Sequence, residues 1–130
     1  MTGAIGHNQL MHYVAAFSLG VMPDSNDYGS PMKIFEYMAL VKPVVVPDYG
    51  PLLDAVTDGK QGKIFRRKDA HALARCIGDY FSDPKSLAEA GNHARASVET
   101  QFNWRGNAER SLNFAVSIAA EKLQKASGNQ

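Results

Sequence analysis

Lys33 and Glu36 are the residues most open to chemistry, and they lie within the stretch Asp24 to Pro47, DSNDYGSPMKIFEYMALVKPVVVP. Ser30-Pro31 reads as a helix start, with Ser30 as N-cap and Pro31 at the first helical position, where no amide donor is needed. Lys33 then falls in the first helical turn, where the helix macrodipole disfavours a cation by a few tenths of a kcal/mol. Two arrangements would offset that cost. One is an ion pair with Glu36 at i,i+3, worth about 0.2–0.5 kcal/mol. The other is a bound anion, which would also satisfy the free amide donors from Ser30 through Met32 to Lys33. The two oxygens of the Glu36 carboxylate can accept hydrogen bonds from two neighbouring hydroxyls, as in a ribose diol; a surface helical glutamate is the alternative. Gly29 suits either a plain turn or a close approach of backbone to ligand.

The surrounding pattern supplies elements to hold these residues. Asp24, Ser25, Asn26, Asp27, Tyr28 and Gly29 form a turn-rich loop. Met32, Phe35, Met38 and Ala39 recur at helical spacing and predict a buried face. Lys42-Pro43 ends that helix, and Val44-Val45-Val46 suits a strand covered on both faces. Upstream, Leu19 to Pro23 reads as a strand, so strand, loop, helix and strand make a parallel βαβ unit. Ligands of such sheets sit at the carboxyl ends of the strands, which points to the loop Asp24 to Ser30.

The flanks follow the same logic. His7 to Phe17 predicts a helix, Pro47 to Pro51 a loop, and Leu52, Leu53 and Val56 a short helix stopped by Asp58-Gly59. Gly62 to Phe65 predicts a third strand. Asp69 is placed to cap a helix with the stripe Leu73, Cys76, Ile77 and Tyr80. Asp83 with Pro84 starts another, burying Leu87, Ala90, Ala94, Val98 and Phe102. Asn103 caps a last helix, with Trp104, Ala108, Leu112, Ala115 and Ala119 sharing one face, and Lys125 to Gln130 should fray. The fold class is α/β, with a short parallel sheet of about three strands and a helical carboxyl-terminal region.

A chain of 130 residues, 45% hydrophobic, is expected to form one domain, residues 1–130. Its net charge of +1 gives no reason to invoke nucleic acid. Arg66-Arg67-Lys68 reads as a solvated basic loop. The single cysteine, Cys76, excludes an internal disulfide and fits a reducing compartment. No apolar run approaches the ~20 residues of a membrane helix, and no secretory signal is evident, so a cytoplasmic location is expected. His7, His12, His71 and His93 lack partners at metal-ligand spacing, so no metal is expected. Dinucleotide-binding, P-loop and nucleophile-elbow motifs are absent from the sequence.

The string GSPMKIFEYMALVKPVVVPDYGPLLDAVTDGKQGKIF resembles the carboxyl-terminal, nucleotide-sugar-binding domain of retaining GT-B-fold glycosyltransferases, the glycosyl transferases group 1 family. The likeness runs from near Gly3 to about Val116. It implies a partial Rossmann-like architecture, equivalent to the later part of that domain, without the amino-terminal acceptor domain. It also implies a nucleotide-sugar donor as substrate, no cofactor, a diphosphate at Gly29, Ser30, Pro31, Met32 and Lys33, and the nucleotide ribose at Glu36. The family often carries a second carboxylate eight positions before Glu36, where this chain has Tyr28; Asp27 and Tyr28 are the possible donor-sugar contacts. Three functions follow: a donor-binding piece of a glycosyltransferase, inactive alone; a non-catalytic binding or assembly module; or a nucleotide-sugar 2-epimerase. The piece would need its other half or a partner chain. An apolar edge at Leu19 to Pro23 favours a homodimer, by edge pairing or by helix exchange.

Overall fold

Three consecutive valines form the middle of the sheet. In the computed structural model, which describes residues 6–127, Val44, Val45 and Val46 are fully buried. They belong to strand β2, Val44–Pro47, which lies between β1, Gly20–Val21, and β3, Gly62–Phe65, in a parallel sheet ordered β1-β2-β3. Side chains alternate across a strand, so Val44 and Val46 enter one apolar cluster and Val45 the other. The first cluster joins them to Ile34 and Met38 of helix α2, Met32–Ala39, and to Leu52 of α3, Gly50–Leu53. The second joins Val45 to Phe65 and to Ala72 and Tyr80 of α4, Ala70–Ser82. Helix α5, Pro84–Thr100, reaches both clusters, with Ala94 in the first and Ala90 in the second. The architecture is α/β, with helices on both faces of a three-strand parallel sheet.

The remaining elements are α1, His7–Ala15, and α6, Trp104–Ser127. The chain divides into two compact units, Met1–Glu99 and Thr100–Gln130. Among the described residues no helix is long and apolar enough to cross a membrane.

Capping follows the sequence closely. Asp69 accepts from the Ala72 amide at 2.8 Å, Asp83 from the Lys85 and Ser86 amides at 3.2 and 3.1 Å, and Asn103 from the Gly106 amide at 2.7 Å. Each is an N-cap side chain taking up an otherwise orphaned first-turn donor. The Asp69 carboxyl is lowered below its ordinary range chiefly by that Ala72 amide.

Several boundaries and faces differ from expectation. Helix α1 stops at Ala15 because Ala16 and Phe17 turn back with i−3 hydrogen bonds to Tyr13 and Val14. The Lys42 ammonium also caps the Ala15 carbonyl at 2.7 Å. β1 is shorter than Leu19 to Pro23, although the Met22 amide still bonds Val45 at 3.0 Å; Pro23 has no donor with which to continue. Helix α3 starts at Gly50, inside the expected loop, and leaves Leu53 exposed. On α2, Ile34 and Met38 form the buried pair, whereas Met32 is 53% exposed and Phe35 and Ala39 are half-buried. The helix is only two turns long, so one i,i+4 pair fills the space above β2.

In the second unit Trp104, Ala108, Leu112, Ala115 and Ala119 are all exposed. That unit holds a single helix, which has nothing within the unit to bury a stripe against. Phe102 lies after α5 ends and is half-buried. Helix α6 continues through Ser127, past the expected fraying point; residues 128–130, like the start of the family likeness near Gly3, lie outside the described residues.

Two backbone positions set up a stability test. Val41, at the end of α2, has φ 61°, a left-handed conformation costing a β-branched residue about 1–2 kcal/mol. At Gly62 a Cβ would lie 2.1 Å from the Val44 carbonyl oxygen, because β3 enters the sheet against β2 there. We expect Val41→Gly to raise unfolding free energy by about 1 kcal/mol and Gly62→Ala to lower it by about 3 kcal/mol in urea titrations. Parent-like stability in Gly62→Ala would refute the close approach.

Candidate functional site

A parallel sheet brings the carboxyl ends of its strands to one edge. Here that edge gathers the loop after β1, residues 22–31, the Asp48-Tyr49 corner after β2, and the Arg66-to-Asp69 corner after β3.

The first loop is built from its own polar side chains. Asp24 Oδ1 accepts from the Ser25 amide at 2.9 Å, and Asn26 Oδ1 from the Tyr28 amide at 2.9 Å. The Asn26 carbonyl accepts from the Gly29 amide at 3.2 Å, which closes a turn of the kind Asn and Asp favour. The turn is tight at Gly29, where a Cβ would lie 2.8 Å from Ser25 Oγ. Tyr28 stands 95% exposed at its tip.

The start of α2 differs from expectation by one residue. Pro31, not Ser30, occupies the cap position, and no side chain caps it. Its carbonyl accepts from Ile34 and Phe35 at 2.9 and 3.2 Å, so the helical bonding begins there and leaves Ser30 a residue too early to cap. Among the described residues, the amides of Ser30, Met32 and Lys33 find no acceptor. Lys33 is exposed and Glu36 half-buried, and among the described residues neither forms an ion pair. The Lys33–Glu36 pair offered by their spacing is therefore not made. The helix start retains unfilled donors and a lysine beside them.

Arg67 is the residue that sequence reasoning misjudged. Instead of projecting from a solvated basic loop, it is half-buried and binds both neighbouring corners. Its backbone amide and Nε both donate to Asp48 Oδ1, at 2.7 and 3.1 Å, and a terminal nitrogen donates to the Asp48 carbonyl. The other terminal nitrogen reaches Asp27 Oδ1 at 3.4 Å. The guanidinium carbon lies 4.0 Å from the centre of the Tyr49 ring, and the Tyr49 hydroxyl donates to Asp24 Oδ1 at 3.2 Å. The Arg67 backbone amide, followed by its guanidinium, holds the Asp48 carboxyl below its ordinary range despite partial burial. Burial, then the hydrogen bond to Asp24, pushes the Tyr49 hydroxyl up. Partners 19 and 40 residues away in sequence leave no local spacing signal for this cluster.

Two open hollows lie at the same edge. One, of about 670 Å³, is lined by Arg66 to His71; the other, of about 250 Å³, by Pro23, Asp24, Phe65, Lys68, Asp69, Ala70 and Leu73. Neither is lined by Lys33 or Glu36.

Comparison with known proteins gives a consistent result. Residues 1–97 match the family model described as glycosyl transferases group 1. The chain is 31% identical over 101 residues to a D-inositol 3-phosphate glycosyltransferase of Streptomyces coelicolor, covering 77% of this chain and 21% of that protein. It superposes on the sucrose-phosphate synthase of Thermosynechococcus elongatus with a TM-score of 0.78 and 28% identity, covering 92% of this chain and 30% of the other. The Anabaena protein HepE, solved in complex with UDP, superposes with a TM-score of 0.73 and 23% identity over 85% of this chain and 30% of its own. The chain thus spans about a fifth to a third of the length of these relatives. The sheet and its helices match the GT-B architecture.

Proposed function

This chain belongs to the glycosyl transferases group 1 family, and on that premise we propose that it is the donor-binding part of a retaining glycosyltransferase. The whole protein would transfer a glycosyl group from a nucleotide sugar to an acceptor, with the acceptor side supplied by residues beyond this chain or by a partner. One observation carries the reading. The α2 start follows the carboxyl end of β1, keeps the amides of Ser30, Met32 and Lys33 without acceptors among the described residues, and pairs neither Lys33 nor Glu36. A helix N-terminus with open amides suits an anion, and a diphosphate would offset the misplaced lysine charge. Glu36, one turn on, would accept from the ribose hydroxyls. Gly29 and Pro31 shape the approach, and Asp27 and Tyr28 would border the sugar. HepE, solved with UDP and with UDP-glucose, supports a uridine nucleotide as the first probe. The reading requires neither a metal nor a cofactor. The lone cysteine agrees with a reducing, cytoplasmic setting.

Titration of UDP into the chain, followed by backbone amide shifts, tests this. We expect shifts at Gly29 to Glu36 and about tenfold weaker binding in Glu36→Ala, a loss of roughly 1.4 kcal/mol. Equal affinity in both proteins would remove Glu36 from the site.

Self-association is the second proposal for the chain as it stands. β1 is an edge of the described sheet, and the residues around it, Leu19, Val21 and Met22, are apolar and half-buried. Sedimentation equilibrium at micromolar concentration should give a homodimer; a monomer at every concentration would refute it.

A further inference from the structure

We propose that Arg67 is a positioning residue that holds the loop Asp24 to Ser30, and through it the donor site, in register with the sheet. The proposal deepens the donor-binding reading and rests on it. Among the described residues, two side-chain hydrogen bonds leave this loop for the rest of the protein. Asp24 accepts from the Tyr49 hydroxyl at 3.2 Å, and Asp27 accepts from Arg67 at 3.4 Å. Both converge on one stack, because the guanidinium lies 4.0 Å from the centre of the Tyr49 ring. Arg67 is in turn fixed to β2's end by its own amide, by Nε and by a terminal nitrogen, all directed at Asp48. One side chain therefore links the corners that follow all three strands.

The chemistry demands arginine. A planar guanidinium offers five donors in a fixed fork and a flat face for stacking. Here Nε and one terminal nitrogen bind Asp48, the other terminal nitrogen binds Asp27, and the plane covers Tyr49. A lysine ammonium could meet one of those demands at a time. The same contacts argue against Arg67 as a phosphate ligand: its charge already faces two carboxylates, Asp48 and Asp27. Of its hydrogen bonds, the one to Asp27 is the longest and its partner carboxylate is 70% exposed, so the loop is tied but remains adjustable.

The test is NMR on the chain without nucleotide. Backbone order parameters for residues 24–29 should fall by about 0.2 in Arg67→Lys, from the rigid range toward the flexible one, while those of β2 and α4 stay at parental values. Asp27→Asn, which leaves Arg67 bound to Asp48, should loosen the same residues. Combined with Arg67→Lys it should add nothing further, since Arg67→Lys already removes the link to Asp27. UDP titration then forms a second arm, with about tenfold weaker binding expected in Arg67→Lys. An unchanged loop in both single variants overturns the proposal. So does loss of order spread through β2 and α4, which would mark Arg67 as general scaffold. A loop that stays ordered while Arg67→Lys loses UDP also overturns it and makes Arg67 a ligand contact. If UDP binds neither parent nor variant, the order parameters still decide the role of Arg67, and the donor-binding reading fails separately.

Discussion

The burial of β2 on both faces is the constraint from which the rest of the structure follows. Val44, Val45 and Val46 have no solvent contact, so β2 must be covered by helices above and below and flanked by strands on both sides. Helical crossovers of this kind make the sheet parallel, and parallel strands deliver their following loops to a single edge. Residues far apart in the chain, Asp27, Asp48 and Arg67, meet there without any of them contributing to the core. The chemistry at the edge is thus set by topology, and the topology is set by three valines.

Two of the cations at this edge stand in opposite electrostatic situations. Arg67 is matched by two carboxylates and an aromatic face, and its charge is used within the protein. Lys33 has no described partner and sits where the backbone of α2 presents open amides. An exposed cation beside first-turn amides is completed by water or by a bound anion. The proposed division of labour rests on this contrast: the internally neutralised cation would shape the loop, and the unneutralised one would face the ligand.

Much of the fold was legible from sequence because it is written in local pattern. The β-branched run of β2, the turn residues of Asp24 to Gly29, and the caps Asp69, Asp83 and Asn103 each act within a few residues. The placement of Lys33 and Glu36 in the first turns of α2 was legible for the same reason, since it depends on distance from a helix start. What the sequence hid was either a competition or a long-range contact. Pro31 took the cap from Ser30 because the Pro31 carbonyl already receives the first helical bonds. Ile34 displaced Met32 on the buried face of a helix too short to bury a broad stripe. The stripe on α6 was periodic, yet periodicity says nothing about whether a second surface exists to bury it. Arg67 looked like a solvated charge because its partners lie in other loops.

The claim at the centre of this account is that the start of α2 holds the donor's diphosphate. A crystal structure of the chain with UDP bound tests it most directly. The account predicts phosphate oxygens at hydrogen-bond distance, about 3 Å, from the amides of Met32 and Lys33, with the ribose hydroxyls on Glu36. A diphosphate seated instead in the basic hollow between Arg66 and His71, with α2 untouched, would contradict it.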